Sequence, residues 1–400
     1  MIDNLPVAPS PETCSGLQTS VRNPAIDGIR GLFAALVFLA HFHVQFHLLT
    51  HNHGVLYFTS ATLWCVTRAA VGIFFALSGF LFYGSLLKRP EPCLPFFVKR
   101  LRRLYPAFLF AFTLYLLFCL MFPSASKLPA TGEAKLLYIG ANLLMLQGLL
   151  HPAMIVQSWT LTFTCAFYLA VPAVVWGFRK LNFERKQRLP CLVGLWLLAL
   201  GSIRFSAVMT NGIGFITGMI VTESLPWLRS KTAATGRRAE LLAGLLVMAA
   251  CGMLYAGFSW HAQFLDKPMP AELFTFYAVA CRVTVLSLTT MVIFVLALAS
   301  NGPTRRILSF GPLVALGGFS YSWYLMHGIA LKLTGYLVER ALATWHMEPS
   351  LLFVPALLIS LLFAWAISLA TYHIVENRSL FAKRALQPTG DLTVVRVDAR

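Results

Sequence analysis

Long apolar stretches recur along this chain, separated by shorter polar segments. About 20 residues of α-helix cross the hydrocarbon core of a bilayer. Ten stretches reach or approach that length: residues 28–49, 68–87, 104–122, 155–178, 188–203, 207–225, 239–259, 276–299, 313–338 and 351–374. The pattern predicts an all-α, polytopic integral membrane protein of about ten transmembrane helices. The fifth and sixth stretches are the weakest, being short and joined through Arg204. A further apolar run at 136–150 is too short to span comfortably and precedes His151-Pro152, so it reads as a re-entrant or interfacial helix. Segment 1–22 is polar, with proline and acidic residues and no apolar centre. It is expected to be a cytosolic segment and not a cleavable signal. A polar tail, 381–400, leaves 23–380 as one membrane domain, and no internal repeat is visible in it.

Charge fixes the expected orientation. Lys88, Arg89, Lys99, Arg100, Arg102 and Arg103 lie between the second and third stretches. Arg179, Lys180, Arg185, Lys186 and Arg188 follow the fourth; Arg229, Lys231, Arg237 and Arg238 follow the sixth; Arg305 and Arg306 follow the eighth. The intervening loops hold only Arg68, then Lys127 and Lys135, then Arg204, Lys267 and Arg340. Every second loop is basic, as the positive-inside rule requires for an even number of spans with both termini cytosolic. The composition agrees: 58% of the 400 residues are hydrophobic and only 12% charged, about half the charge of a soluble domain. The formal net charge of +17 is explained by insertion, which removes nucleic acid as a partner and leaves membrane lipids. Eight cysteines fall singly, with no metal-ligand or redox spacing, so no metal is expected.

Several polar residues inside these stretches are candidates for chemistry. Eleven residues of helix rise about 16 Å and make close to three turns, so Arg30 and His41 lie nearly on one line of the first helix. Asp27 is placed to pair with Arg30. Ionisable side chains within a span usually face a cavity or a partner. Read alone, Arg30 also fits a snorkelling end anchor and His41 a polar contact between helices. His43 and His47 read as interfacial polarity. Ser78-Gly79 permits close helix approach. Arg100, Arg102 and Arg103 open the third helix, where they serve either insertion bias or the phosphates of a nucleotide-bearing donor. Trp159 reads as an outer-interface belt residue. Gly317, Ser320, Tyr324 and His327 fall at helical spacing and form one polar stripe. Arg282, mid-helix, requires a partner or wet cavity, and Glu223 or a bound anion would serve.

Together these motifs resemble the acyltransferase 3 family, integral membrane proteins that O-acylate glycans and other acceptors at the bacterial envelope. The matching residues are Arg30 with His41; Phe75-Ala76-Leu77-Ser78-Gly79-Phe80; Phe97 with Arg100, Arg103 and Pro106; Ser158-Trp159-Thr160-Leu161 and Phe167-Tyr168; Ser320-Tyr321-Ser322 with Tyr324-Leu325 and His327; and Val375-Glu376. They occur in the family's order across roughly residues 24 to 380. The resemblance implies a multi-pass protein of the bacterial inner membrane. It implies a cytosolic acyl-CoA donor, usually acetyl-CoA, and an acceptor hydroxyl on a glycan or glycolipid at the far side. Arg30 and His41 match the family's functional pair. Arg30, Arg100, Arg103 and Ser78 are then expected at the donor, with Trp159, Tyr324, His327 and Arg282 as substrate or oxyanion contacts. One departure is substantial: where members commonly carry a glutamate after the Trp-Ser-Leu segment, this chain has Thr164. Glu376 is followed by Asn377 and not by the usual proline. The rival expectation is a transporter or flippase that uses His41, Arg282 and His327 as a relay or substrate site.

Overall fold

The computed structural model describes residues 23–51, 54–67, 70–123, 126–203, 209–234, 237–264, 271–299 and 301–377. The two terminal segments, together with Arg68, Arg204 and Lys267, lie outside the described residues. Among the described residues every regular element is helical. α1 (Pro24–Phe46) ends in a 3-10 turn, and α2 (Gly54–Thr67) follows it. α3 (Ala70–Ser78) runs through a π-type turn, Gly79–Tyr83, into α4 (Gly84–Lys88). α5 (Cys93–Met121), the short α6 (Gly132–Leu143), α7 (Trp159–Lys180), α8 (Arg185–Ser202), α9 (Met209–Ala234), α10 (Arg237–Phe264) and α11 (Ala271–Ala299) come next. The chain closes with α12 (Pro303–Leu308), α13 (Gly311–Gly318), α14 (Ser320–Trp345) and α15 (Phe353–Thr371), the last continuing as a second π-type turn, Tyr372–Glu376.

Helices fall at all ten apolar stretches. Among the described residues seven helical segments are long and apolar enough to cross a membrane: Pro24–Thr50, Ala70–Lys88, Cys93–Met121, Val156–Lys180, Glu240–Gly257, Cys281–Ala299 and Pro349–Glu376. α8, α9 and the α13–α14 pair fall outside that set. The surface is inverted relative to a soluble protein. Leu198, Leu246 and Leu362 are 74%, 69% and 62% exposed, while Gln147, Ser322, His327 and Thr334 are fully buried. Lipid accepts the leucines, and the interior supplies the hydrogen bonds that lipid cannot. The chain is an all-helical polytopic membrane protein.

Residues 54–67, to which the sequence assigns no element, form α2, which packs on α1 and α10. One expectation is corrected: the ninth stretch is not one helix. It breaks at Phe319 (φ −114°, ψ 22°) into α13 and α14, after the Gly317-Gly318 pair, where two residues without side chains weaken the helix. The short run after residue 136 behaves as expected of a piece that does not span. α6 stops at Leu143, and the chain to Ser158 is a loop pinned inside the bundle. Asn142 Oδ1 accepts from the Met154 N–H at 3.0 Å, and Gln147 Nε2 donates to the Ser158 carbonyl at 3.0 Å.

α1 is the centre of the fold. Ile29, Phe33 and Val37 pack with Ile73, Leu77 and Phe294 on one side. Phe38 and Phe42 pack with Trp323, Leu331 and Phe353 on the other. Backbone contact with α13 is unusually close: a Cβ on Gly317 would lie 1.9 Å from the Asp27 carbonyl oxygen, and one on Gly31 2.0 Å from that of Leu313. α3 meets α9 in the same way, with Gly79 against the Phe215 carbonyl and Gly218 against that of Ala76. In lipid, where apolar burial gives no net drive between helices, such small-residue contacts hold a bundle together.

Candidate active site

The first turn of α1 is fixed by its cap and by proline. The Asn23 side-chain oxygen accepts from the Ala25 N–H at 3.1 Å, and Pro24 opens the helix. Asp27 is buried and receives the Arg30 guanidinium at 3.4 Å. Arg30 remains partly exposed, and its open side borders a cavity of about 200 Å³ shared with Ser78, Arg100, Arg103, Tyr168, Tyr324 and Glu376. Arg100 lies over the rings of Phe82 (4.5 Å) and Phe96 (5.0 Å), and its Nε is buried with no acceptor among the described residues. Among the described residues no carboxylate comes within 4.0 Å of Arg100 or Arg103. Three guanidinium groups thus share one small cavity with a single acid, Glu376, and that acid already accepts from Ser322 Oγ at 2.7 Å.

Both π-type turns serve this cavity. A π turn widens the helix and re-aims the residues around it, and such turns concentrate at functional sites. One carries Leu81 and Phe82 into the cavity wall, and the other carries Glu376. Thr164, at the position of the family's usual glutamate, also lines the cavity, with its hydroxyl donating to the Thr160 carbonyl at 2.9 Å. Ser78 Oγ donates to the Phe74 carbonyl at 3.0 Å, which leaves its lone pairs on the cavity side as acceptors only.

A second cavity, of about 350 Å³, lies further along α1. His41 lines it with Trp64, Trp159, Tyr255 and Arg282. Val71 and Phe75 of α3 line both cavities, so the two lie back to back across a thin apolar wall. Phe75 is held there by stacking on Phe215 (4.5 Å), which stacks in turn on Phe167 (4.2 Å). Trp159 stands in the wall of this second cavity, its ring edge-on to Phe75 at 6.4 Å.

Several sequence-based assignments change. Glu223 does not serve Arg282. Its carboxylate accepts from Arg188 Nε at 2.7 Å and from the Tyr83 hydroxyl at 2.6 Å, and its backbone carbonyl accepts from Arg185 Nε at 2.6 Å. Arg282 is brought to the cavity of His41 instead. His43 is not interfacial: it is buried against α2, 2.9 Å from Ser60 Oγ, with its ring beside Trp64 at 5.5 Å. The polar stripe of the ninth stretch crosses the helix break. Gly317, which packs on α1, Ser320, whose Oγ donates to the Gly317 carbonyl, and Tyr324 all line the first cavity, whereas His327 is buried beyond it. The Tyr324 hydroxyl donates to the Gln157 carbonyl and lies 2.6 Å from Thr160 Oγ1, so its proton is engaged. His327 is completely buried, its ring centroid 5.2 Å from that of His41.

Gln157, Thr160, Glu376 and the Val71–Phe75 wall were given no role by the sequence. Glu376 had a signal in the Val375-Glu376 pair, and Gln157 in its place just before Ser158-Trp159. Phe75 had one as the first residue of the Phe75–Phe80 motif, whereas Val71 carries no mark that separates it from lipid-facing neighbours.

A family model described as an acyltransferase domain matches residues 23–369. The chain is similar to the exopolysaccharide production protein ExoZ of Rhizobium meliloti (strain 1021), 29% identical over 338 residues, covering 82% of this chain and 94% of that one. It is also similar to the acyltransferase MdmB of Streptomyces mycarofaciens, 26% identical over 335 residues, covering 78% of this chain and 80% of the relative. No solved structure matches it. With the family model spanning α1 and every residue that lines the two cavities except Glu376, the chain belongs to the acyltransferase 3 family of membrane acyltransferases.

Proposed function

We propose that the protein is an O-acyltransferase of the bacterial inner membrane. It moves an acetyl group from cytosolic acetyl-CoA to a hydroxyl of an envelope glycan or glycolipid on the far side. Ten spans with both termini cytosolic place the basic loops, and the end of α1 that carries Arg30, on the donor side. The observation that carries the reading is that one helix delivers Arg30 to the arginine-rich cavity and His41 to the second cavity, with only Val71 and Phe75 common to both. The relative named for exopolysaccharide production supports a glycan acceptor.

Arg30, Arg100 and Arg103 match the donor chemically. Guanidinium groups pair with phosphate oxygens through two parallel hydrogen bonds, and the buried Arg100 Nε has no acceptor among the described residues. The apolar remainder of that cavity, Phe74, Leu77 and Leu81 among it, suits a pantetheine arm and excludes water from the thioester. At the wall, His41 takes the proton of the acceptor hydroxyl as its oxygen attacks the thioester carbonyl. The tetrahedral intermediate collapses with cleavage of the C–S bond. The imidazolium of His41 returns its proton to the departing thiolate, giving ester and free CoA.

Purified protein in lipid nanodiscs tests this with radiolabelled acetyl-CoA and envelope glycan extract. Arg103→Ala is expected to weaken donor binding about tenfold or more, as for loss of a charge-assisted contact. His41→Ala is expected to bind donor normally and to lose transfer by at least about 10²-fold. Folded His41→Ala protein transferring acetyl at the wild-type rate, or wild-type protein that moves intact solute without releasing CoA, would overturn the proposal.

A further inference from the structure

His41 has a neighbour that the proposed chemistry leaves unused. His327 on α14 is fully buried, and its Nδ1 lies 3.0 Å from the Trp323 carbonyl oxygen. A carbonyl only accepts, so Nδ1 carries the hydrogen and the neutral ring presents a bare lone pair at Nε2. That nitrogen has no partner among the described residues and no contact with solvent. Such an orientation disqualifies His327 as a donor to an oxyanion; it is an acceptor that lacks a donor.

The rings around it identify that donor. Phe38 lies 6.4 Å away and has no polar hydrogen. Tyr324 lies 6.3 Å away, with its hydroxyl proton on the Gln157 carbonyl. His41, at 5.2 Å, is the nearest of the three, is half-buried on a cavity wall, and always carries at least one N–H. Two imidazole rings joined by an N–H···N bond of ordinary length have centroids about 5 Å apart, so this spacing suits a His41 N–H directed at His327 Nε2. The platform beneath is rigid, because the Trp323 indole N–H donates across the helix interface to the Ala34 carbonyl of α1 at 3.1 Å.

We propose that His327 is a positioning residue: its Nε2 accepts an N–H from His41, leaving the other His41 nitrogen as a bare base on the acceptor cavity. The contact selects one of the two neutral tautomers of His41 and holds the ring in plane. When His41 takes the acceptor's proton, the same contact remains on the imidazolium. A base oriented by a third group is the arrangement that activated nucleophile systems share on unrelated folds. This inference rests on acyl transfer through His41.

The experiment uses the full-length protein in nanodiscs, with acetyl-CoA and glycan extract. An imidazole Nε2 is mimicked by the amide oxygen of glutamine, whereas asparagine reaches only as far as Nδ1. His327→Leu is expected to lower kcat about 10²-fold with KM for acetyl-CoA unchanged, and His327→Gln to recover most of that loss, in line with the size of general-base effects. In a His41→Ala background, His327→Leu is expected to change nothing further, because residues acting as a unit are not additive. Should the leucine variant fail to fold, His327→Gln and His327→Asn are compared: glutamine active and asparagine impaired supports the proposal, and equal activity overturns it. Full kcat in His327→Leu, or additive losses in the double variant, also overturns it. Wild-type transfer by His41→Ala would instead overturn the acyl-transfer reading beneath it.

Discussion

Replacing Gly317 by alanine adds one methyl group where α13 touches the backbone of α1. The added carbon would sit 1.9 Å from the Asp27 carbonyl oxygen. Carbon atoms do not approach oxygen closer than about 3 Å without strain, so the helices must part by about 1 Å. Neither atom belongs to a flexible side chain, and the displacement falls one helical turn from Arg30. Overpacking of this kind costs about 1–3 kcal/mol, and a misplacement of about 1 Å at reacting groups can cost about 10²-fold in rate. Gly311→Ala, on the same helix, is the control, since a Cβ there meets nothing within 4 Å, its φ is not positive and it lines neither cavity. Thermal unfolding in detergent and CoA release from acetyl-CoA measure the two effects. Gly317→Ala is expected to melt several degrees lower and to lose at least about tenfold in turnover, while Gly311→Ala matches wild type. Wild-type behaviour of Gly317→Ala, or equal damage from Gly311→Ala, would show that the α1–α13 contact does not set the site.

Glu223→Gln removes the charge that holds Arg188 and Tyr83, and breaking a buried pair from one side costs about 3–5 kcal/mol. With Arg188 partly exposed the lower part of that range is expected, read as a fall in melting temperature with donor binding intact. Tyr324→Phe removes a hydroxyl whose proton goes to the Gln157 carbonyl. It is expected to cost about 1 kcal/mol of stability and only a few-fold in kcat; a loss of about 10²-fold or more would instead assign that hydroxyl to the oxyanion. Phe75→Leu thins the wall between the cavities and is expected to raise turnover of butyryl-CoA relative to acetyl-CoA about tenfold, an amount consistent with one or two methylenes of extra room. An unchanged ratio would remove Phe75 from acyl selection.

Helical phase carried much of this site in the sequence. Arg30 and His41 read as one face from their spacing, and α1 does present them to two cavities opening along its length. Arg100 and Arg103 likewise reach one cavity from one face of α5. What was lost concerns pairing between distant segments. Arg282 and Glu223 are opposite charges within spans, yet Glu223 belongs to Arg188, a residue whose place in a basic loop was already explained by insertion. The break after Gly318 was hidden because no proline or charge interrupts Leu316 to Trp323, and glycine is common inside membrane spans. α2 was missed because its 14 residues are too few to span, and an apolar-run criterion sees only spans. Thr164 reads as a departure in sequence; in space its position borders the arginine cavity, where Glu376 on another helix already supplies a carboxylate.

The placement of charge follows from what each end of the bundle must hold. A lone arginine in hydrocarbon is costly, whereas one facing a polar cavity keeps its hydration or its anion. Arg30, Arg100 and Arg103 meet that condition at the first cavity, and Arg282 with His41 at the second. Between them the wall is built from residues that carry no charge, Val71 and Phe75, the latter backed by the stacked rings of Phe215 and Phe167. On the acyl-transfer reading this division is a requirement. The donor's phosphates are held on one side by groups that cannot follow them, and the acceptor's hydroxyl meets its base on the other. Only an uncharged acyl group of a few atoms has to pass the wall, and a phenylalanine side chain is about the size of what must yield. A transporter would need the reverse: polar contacts continued through the middle, so that a whole solute is never left unsolvated. The apolar centre between two polar ends is therefore the feature that favours group transfer over solute passage.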